Sequence, residues 1–280
     1  MPTVALALAS SLVYGLSDFL GGLKSRSTPL LGVLLVSQGA ALAMLALFVL
    51  ARGEGLPAGE FLVYAAAAGV AEAIGVAALY RGLAVGVMSV VAPVASTAPV
   101  VPIIAGIALG ELPGALQWAG IALAVTGIVI AGSASPGEGS TPKAVRSGLV
   151  FGLLSAVGFG AFYVALDAAS EGDIPWALVF ARLIAVALFV TAFAATRLTA
   201  SVRAADLPVL AAIGVLIIVA DTLYAASSTK GVLGVVAVLS TLYPVVTIAL
   251  ARLFLGEKLE RVQQIGIATV LCGVIAISAG

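Results

Sequence analysis

The chain of 280 residues is 62% hydrophobic and only 9% charged, with 13 Lys and Arg balancing 13 Asp and Glu. Soluble domains carry about a quarter of their residues as charges, so the composition excludes one, and no basic stripe interleaved with aromatics points to nucleic acid. There is no His and Cys272 is alone, so the reading is of no metal, no cofactor, no disulfide framework and no enzyme.

A helix needs about 20 mostly apolar residues to cross the hydrocarbon core. Ten runs qualify in chain order: Val4 to Gly21, Leu31 to Leu50, Phe61 to Tyr80, Val87 to Leu109, Ala115 to Gly132, Gly148 to Leu166, Trp176 to Thr196, Leu207 to Thr229, Val232 to Leu255 and Val262 to Ala279. Runs this long satisfy their own backbone hydrogen bonds as helices, not as barrel strands, so an all-α membrane protein is expected. Nothing basic precedes the first run, which reads as a retained helix, not a signal peptide.

The ten spans fall into two copies. GELPGALQWAGIALAVTGIVI from Gly110 recurs as GEKLERVQQIGIATVLCGVIAI from Gly256, pairing Gln117 with Gln263, Gly120 with Gly266 and Gly127 with Gly273. Upstream, STAPVV at Ser96 meets TLYPVV at Thr241, AEAIGVAALYRG at Ala71 meets ADTLYAASSTKG at Ala220, and Ser10, Tyr14 and Gly15 meet Ser155, Phe159 and Gly160. The order is the same in both copies, which indicates a duplication. Five spans carry the chain across, so the second copy enters from the opposite face and the halves form an inverted repeat. The domains are therefore 1–132, a connector rich in Gly, Ser and Pro at 133–147, and 148–280. With this threading, ten of the 13 basic residues fall on one face, Lys24, Arg26 and Arg203 among them, and only Arg52 and Lys230 on the other. The positive-inside rule makes the first face cytoplasmic and places both termini outside. No GxxxxGK[ST] phosphate loop occurs, so ATP would have to act through another chain.

Two inverted five-span repeats, each with a Pro in its fourth helix and a G-E turn followed by Q-x-x-G and a later Gly, resemble the EamA type of the drug/metabolite transporter superfamily over essentially the whole chain. Within it the sequence looks most like YddG-like bacterial amino-acid and metabolite exporters. The resemblance implies secondary transport of small organic solutes across the bacterial inner membrane by alternating access. It also implies a central cavity lined by the first, third, fourth, sixth, eighth and ninth helices. An Arg that can occur in the second helix of each half stands here once, as Arg182, with Gln38 in its place in the first half.

An acid at membrane depth is costly and marks a functional candidate. Glu72 and Asp221 are repeat counterparts, each nine residues before the basic residue closing its span, Arg81 or Lys230. Inversion then predicts Glu72 towards the cytoplasm beside Gln38, and Asp221 towards the outside in an ion pair with Arg182. With only a neutral neighbour, Glu72 is the expected proton-handling group; alternatively both acids simply lock helices together. Asp18, close to Lys24, is expected as an interfacial charge. Tyr14 shares its face one turn away, with Phe159 and Tyr163 at the matching turn of the sixth helix and Tyr80 and Tyr224 elsewhere, as cavity aromatics or plain packing. Pro99 and Pro244 are expected to free the carbonyls of Ala95 and Ser240, offering acceptors and a hinge, unless neighbouring Ser96, Thr97 or Thr241 fills the kink. Glu111 and Glu257 read as caps or anchors at the membrane surface.

The expected partners are a small-molecule substrate and membrane lipid. Proton coupling is an open route, and monomer and homodimer are both open. Export of amino acids or related metabolites leads. Cationic drugs or sugar derivatives are the alternative, and an intramembrane enzyme, a scaffold or a channel subunit are more remote.

Overall fold

The computed structural model describes residues 2–56, 59–108, 110, 113–133, 141–170, 172–196, 201–228 and 242–279. Among them there is no strand. The helices are α1 (Pro2–Ser27), α2 (Leu30–Arg52), α3 (Gly59–Val85), α4 (Met88–Ala95), α5 (Val100–Ala108), α6 (Ala115–Ser133), α7 (Pro142–Ser170), α8 (Ile174–Thr196), α9 (Leu207–Ser228), α10 (Tyr243–Leu255) and α11 (Arg261–Ala279). Eight described stretches are long and apolar enough to span a membrane, with Met88–Ala108 counted as one, and the shorter apolar helices Ala115–Ile130 and Tyr243–Leu255 fall in the fifth and ninth predicted spans. Residues 232–241 of the ninth span and 134–140 of the connector lie outside the described residues, as do Glu111, Lys230 and Ser240.

Of the two expectations for the fourth span, an open carbonyl or a kink filled by its neighbours, the geometry fits the second. It breaks into α4 and α5 around Pro99. Across the break the chain tightens to turns in which Thr97 N–H donates to Val94 O and Ala98 N–H to Ala95 O, each at 3.2 Å. The Ser96 hydroxyl donates to Pro93 O at 2.8 Å and the Thr97 hydroxyl to Val94 O at 2.7 Å. The Ala95 carbonyl is thus not left free. Short i to i+3 turns absorb the missing proline donor locally. Pro244 lies in the first turn of α10, where a helix has no partner for an N–H and a proline breaks nothing.

Packing follows the duplication. α3 lies on α7 as α9 lies on α1; α3 meets α8 as α9 meets α2; α4 meets α7 as α10 meets α1. Pairs that are their own counterparts, α2 with α8, α4 with α10 and α6 with α11, close the symmetry. Glycines show that the paired helices run in opposite directions. A Cβ on Gly120 would meet Gly273 O at 2.7 Å, and one on Gly127 would meet Gly266 O at 2.7 Å, so advancing along α6 means retreating along α11. Gly75 of α3 lies against Gly158 of α7, and Gly86, just past the end of α3, lies against Gly148 of α7, in the same sense. Without water to drive association, such close backbone approach supplies the dispersion contacts that hold helices together in lipid.

Each end of the bundle carries an ion pair between the halves. At one end Lys24, near the end of α1, bonds Asp206, before α9, at 2.6 Å. At the other, Arg52 at the end of α2 bonds Asp173, before α8, at 3.0 Å. The loops involved are counterparts in the repeat, with the signs of charge exchanged. Outside the spans, Asp173 is held below the usual carboxylate range: partial desolvation opposes this, but hydrogen bonds from Arg52 and from the Trp176 amide prevail.

Candidate functional site

Five helices, three from one half and two from the other, bring a charged cluster to the middle of the bundle. Glu72 is the central residue of α3. Arg182 and Gln38 each stand eight residues past the first residue of α8 and α2. The guanidinium of Arg182, only 4% exposed, donates to Gln38 Oε1 and pairs with Glu72 Oε1 through the same Nη1 nitrogen. Its Nη2 is 3.7 Å from Asp221 Oδ2. The other oxygen of Asp221 accepts the Tyr14 hydroxyl. Beside them the Ser10 hydroxyl donates to Ala220 O at 2.9 Å, tying α1 to α9 at this level.

This corrects the expected depths. Glu72 and Asp221 do not sit near opposite surfaces; one guanidinium reaches both. Nine residues of helix measure about 13 Å, close to half of the hydrocarbon thickness of about 30 Å, so counting inwards from either face reaches the midplane. Nor is Glu72 left with a merely neutral neighbour: it has the closest pairing with Arg182, and its side chain is 6% exposed against 27% for Asp221. Two donors of the cluster, Arg182 Nε and Gln38 Nε2, are buried without a hydrogen-bond partner.

Asp18 faces into the bundle as a second acidic position. It is half-buried, has no hydrogen bond or ion pair among the described residues, and lies within electrostatic reach of Tyr80 and Tyr243. Tyr80 crosses from α3 onto α1 at Gly21, where an added Cβ would meet its hydroxyl oxygen at 2.7 Å. Tyr243 stacks at a tilt on Tyr14 with ring centroids 6.3 Å apart. It was not singled out in the sequence because only the folded backbone brings α10 against α1, where Gly15 carries no side chain to hold it off. Tyr163 is half-exposed and pairs with Phe162, ring centroids 5.6 Å apart; its hydroxyl is within electrostatic reach of Tyr14 and Tyr243. Phe159 packs on Gly75 of α3. The Tyr224 side chain and Ser240 lie outside the described residues.

Glu257 acts away from the cluster. Its carboxylate accepts the Met88 and Ser89 amides at 3.0 Å each and the Ser89 hydroxyl at 2.8 Å, capping α4 from the turn between α10 and α11. A carboxylate at a helix N-terminus satisfies orphan donors and meets the positive end of the dipole. A cavity of about 300 Å³ opens at the Lys24–Asp206 end, and none of Glu72, Arg182 and Asp221 lines it.

A glutamate–arginine–aspartate cluster at mid-depth can exchange partners, accept a proton or receive a cationic group. Among the described residues no group of His, Cys, Asp and Glu has the arrangement of a metal site. Residues 1–133 and 146–279 each match the profile of the EamA-like transporter family. No curated protein matches the chain. A solved crystal structure is similar in fold, with a TM-score of 0.64 at 16% identity over 98% of this chain and 95% of that one.

Proposed function

Because the chain belongs to the EamA-like transporter family, membrane transporters of the drug/metabolite superfamily, we propose that it exports amino acids or related amphipathic metabolites by alternating access. The observation that supports this most is the Glu72–Arg182–Asp221 cluster, assembled from both halves of an inverted repeat. Charges at this depth cost about 2.5–3.5 kcal/mol each on insertion scales, and such residues mark solute or ion pathways. A cluster shared between the halves is where relative rocking of the halves would be felt.

The proposed setting is a bacterial inner membrane with both termini outside the cytoplasm. Export driven by proton exchange and facilitated diffusion are the two energetic schemes, with Glu72 and Asp221 as the groups that would carry a proton. Broad tolerance is expected, since Tyr14, Tyr163 and Tyr243 contribute flat amphipathic surface and few directional donors. A second reading, transport of cationic solutes, is favoured by one observation: Asp18, Glu72 and Asp221 share the interior with Arg182 as the one basic partner in the described cluster.

The test is uptake of a panel of labelled amino acids by purified protein in proteoliposomes, with and without an imposed pH gradient, for wild type and Glu72→Gln. Gradient-driven uptake lost in the variant supports coupling through the cluster. Uptake that ignores both gradient and substitution identifies a facilitator, and flux of cationic solutes alone supports the second reading.

A further inference from the structure

Arg182 is occupied. Its two terminal nitrogens face Glu72, Gln38 and Asp221, so a substrate carboxylate approaching it would have to displace an acid already in place. Asp18 is the opposite case, an acid one turn from Tyr14 with no counter-charge among the described residues. Its surroundings are aromatic. Tyr80 comes from α3 and Tyr243 from α10, and both feel its charge. The hydroxyl of Tyr80, a residue 1% exposed, is buried without a hydrogen-bond partner.

A buried hydroxyl without a partner is uncommon and calls for a missing group. A primary ammonium has three donors and a compact positive charge. Placed between Asp18 and Tyr80, it would give one donor to the carboxylate and one to the Tyr80 oxygen, with Tyr243 beside it as an aromatic face that attracts cations. Gly21 fits this arrangement: lacking a side chain, it leaves the space over α1 that the Tyr80 ring and hydroxyl occupy.

Resting on the transporter reading above, we propose that Asp18, with Tyr80 and Tyr243, forms the subsite that takes the ammonium group of the transported solute. The amino group is therefore the handle by which solutes are selected, and the carboxylate is dispensable. Glu72 and Asp221 hold Arg182 and do not contact the ammonium at this subsite.

The experiment is calorimetric binding to the purified full chain in detergent, using leucine, its decarboxylated amine isoamylamine and its deaminated acid isocaproate. Isoamylamine is expected to bind at least about tenfold more tightly than isocaproate, the worth of one charge-assisted hydrogen bond, with leucine between them. Asp18→Asn is expected to weaken isoamylamine by about tenfold or more, and Tyr80→Phe, which deletes only the hydroxyl, by about three- to tenfold. Gly39→Ala, at a position with open space around it, serves as a control retaining wild-type affinities. Isocaproate binding as well as the amine, no binding of either amine-bearing probe, or wild-type amine affinity in both Asp18→Asn and Tyr80→Phe would each overturn the proposal. If it fails while proteoliposomes still carry other solutes, the transporter reading stands and the subsite alone is lost; absence of any flux removes the reading itself.

Discussion

Replacing Arg182 with Met should be among the most damaging single changes in this chain, for a reason the geometry makes quantitative. The guanidinium is the ion-pair partner of Glu72, whose side chain is 6% exposed, so its removal leaves a buried carboxylate uncompensated. Breaking one side of such a pair costs about 3–5 kcal/mol, whereas replacing both sides by apolar groups of similar volume is often close to neutral. Arg182→Met with Glu72→Met should therefore recover at least about half of the single-mutant loss. The pairing with Asp221 is looser, at 3.7 Å with 27% of the side chain exposed. Its coupling should be only about 1 kcal/mol, nearer that of a solvated pair. The assay is reversible unfolding in mixed detergent micelles across the double-mutant cycle. Losses that simply add for Arg182 and Glu72, or a larger coupling to Asp221 than to Glu72, would refute this description of the cluster.

Other expectations follow from contacts at the periphery. Gly120→Ala drives a methyl against two backbone atoms of α11, Gly273 O and Ile277 N, each 2.7 Å away; it should cost about 1–3 kcal/mol and lower the melting point in detergent. Gly39→Ala, inside α2 with nothing near its added Cβ, should raise stability by up to about 1 kcal/mol through helix propensity alone. Glu257→Ala removes the cap on α4 and should cost about 1–2 kcal/mol, with faster hydrogen exchange at the Met88 and Ser89 amides as the readout. Asp173, held below its ordinary range, contributes stability that is complete above the unfolded value of about 3.9 and is lost as the pH falls through the lower folded value. Asp173→Asn should flatten that part of the acid-stability profile measured by tryptophan fluorescence.

The helical spans were legible because bilayer thickness imposes a length and lipid forbids unsatisfied backbone, so apolar run length alone reveals them. Close packing at Gly120, Gly127, Gly266 and Gly273 was legible, since small residues mark close approach; that it joins α6 to α11 in opposite directions came from the fold. The cluster was legible in its members and not in its depth. Glu72, Asp221, Arg182 and Gln38 stand out as polar groups within apolar runs, but counting from one flanking cation left their distance from the other face unconsidered. The prolines were legible in part: Pro99 announced a break and left two readings, an open carbonyl or a kink filled by its neighbours, and the bonds made by Ser96, Thr97 and short turns fit the second. Long-range ion pairs such as Lys24–Asp206 and Arg52–Asp173 have no local sequence signal at all. Tyr243 likewise became a site residue only through the approach of α10 to Gly15.

The most direct test of carrier function is trans-stimulation in proteoliposomes. Vesicles preloaded with an unlabelled solute are diluted into the same labelled solute, and initial uptake is compared with that of empty vesicles. Alternating access across the inverted repeat predicts saturable uptake, accelerated by the internal solute because the loaded protein reorients in exchange. Linear uptake that internal solute leaves unchanged would indicate a channel, and uptake equal to that of protein-free liposomes for every solute tried would contradict solute transport itself.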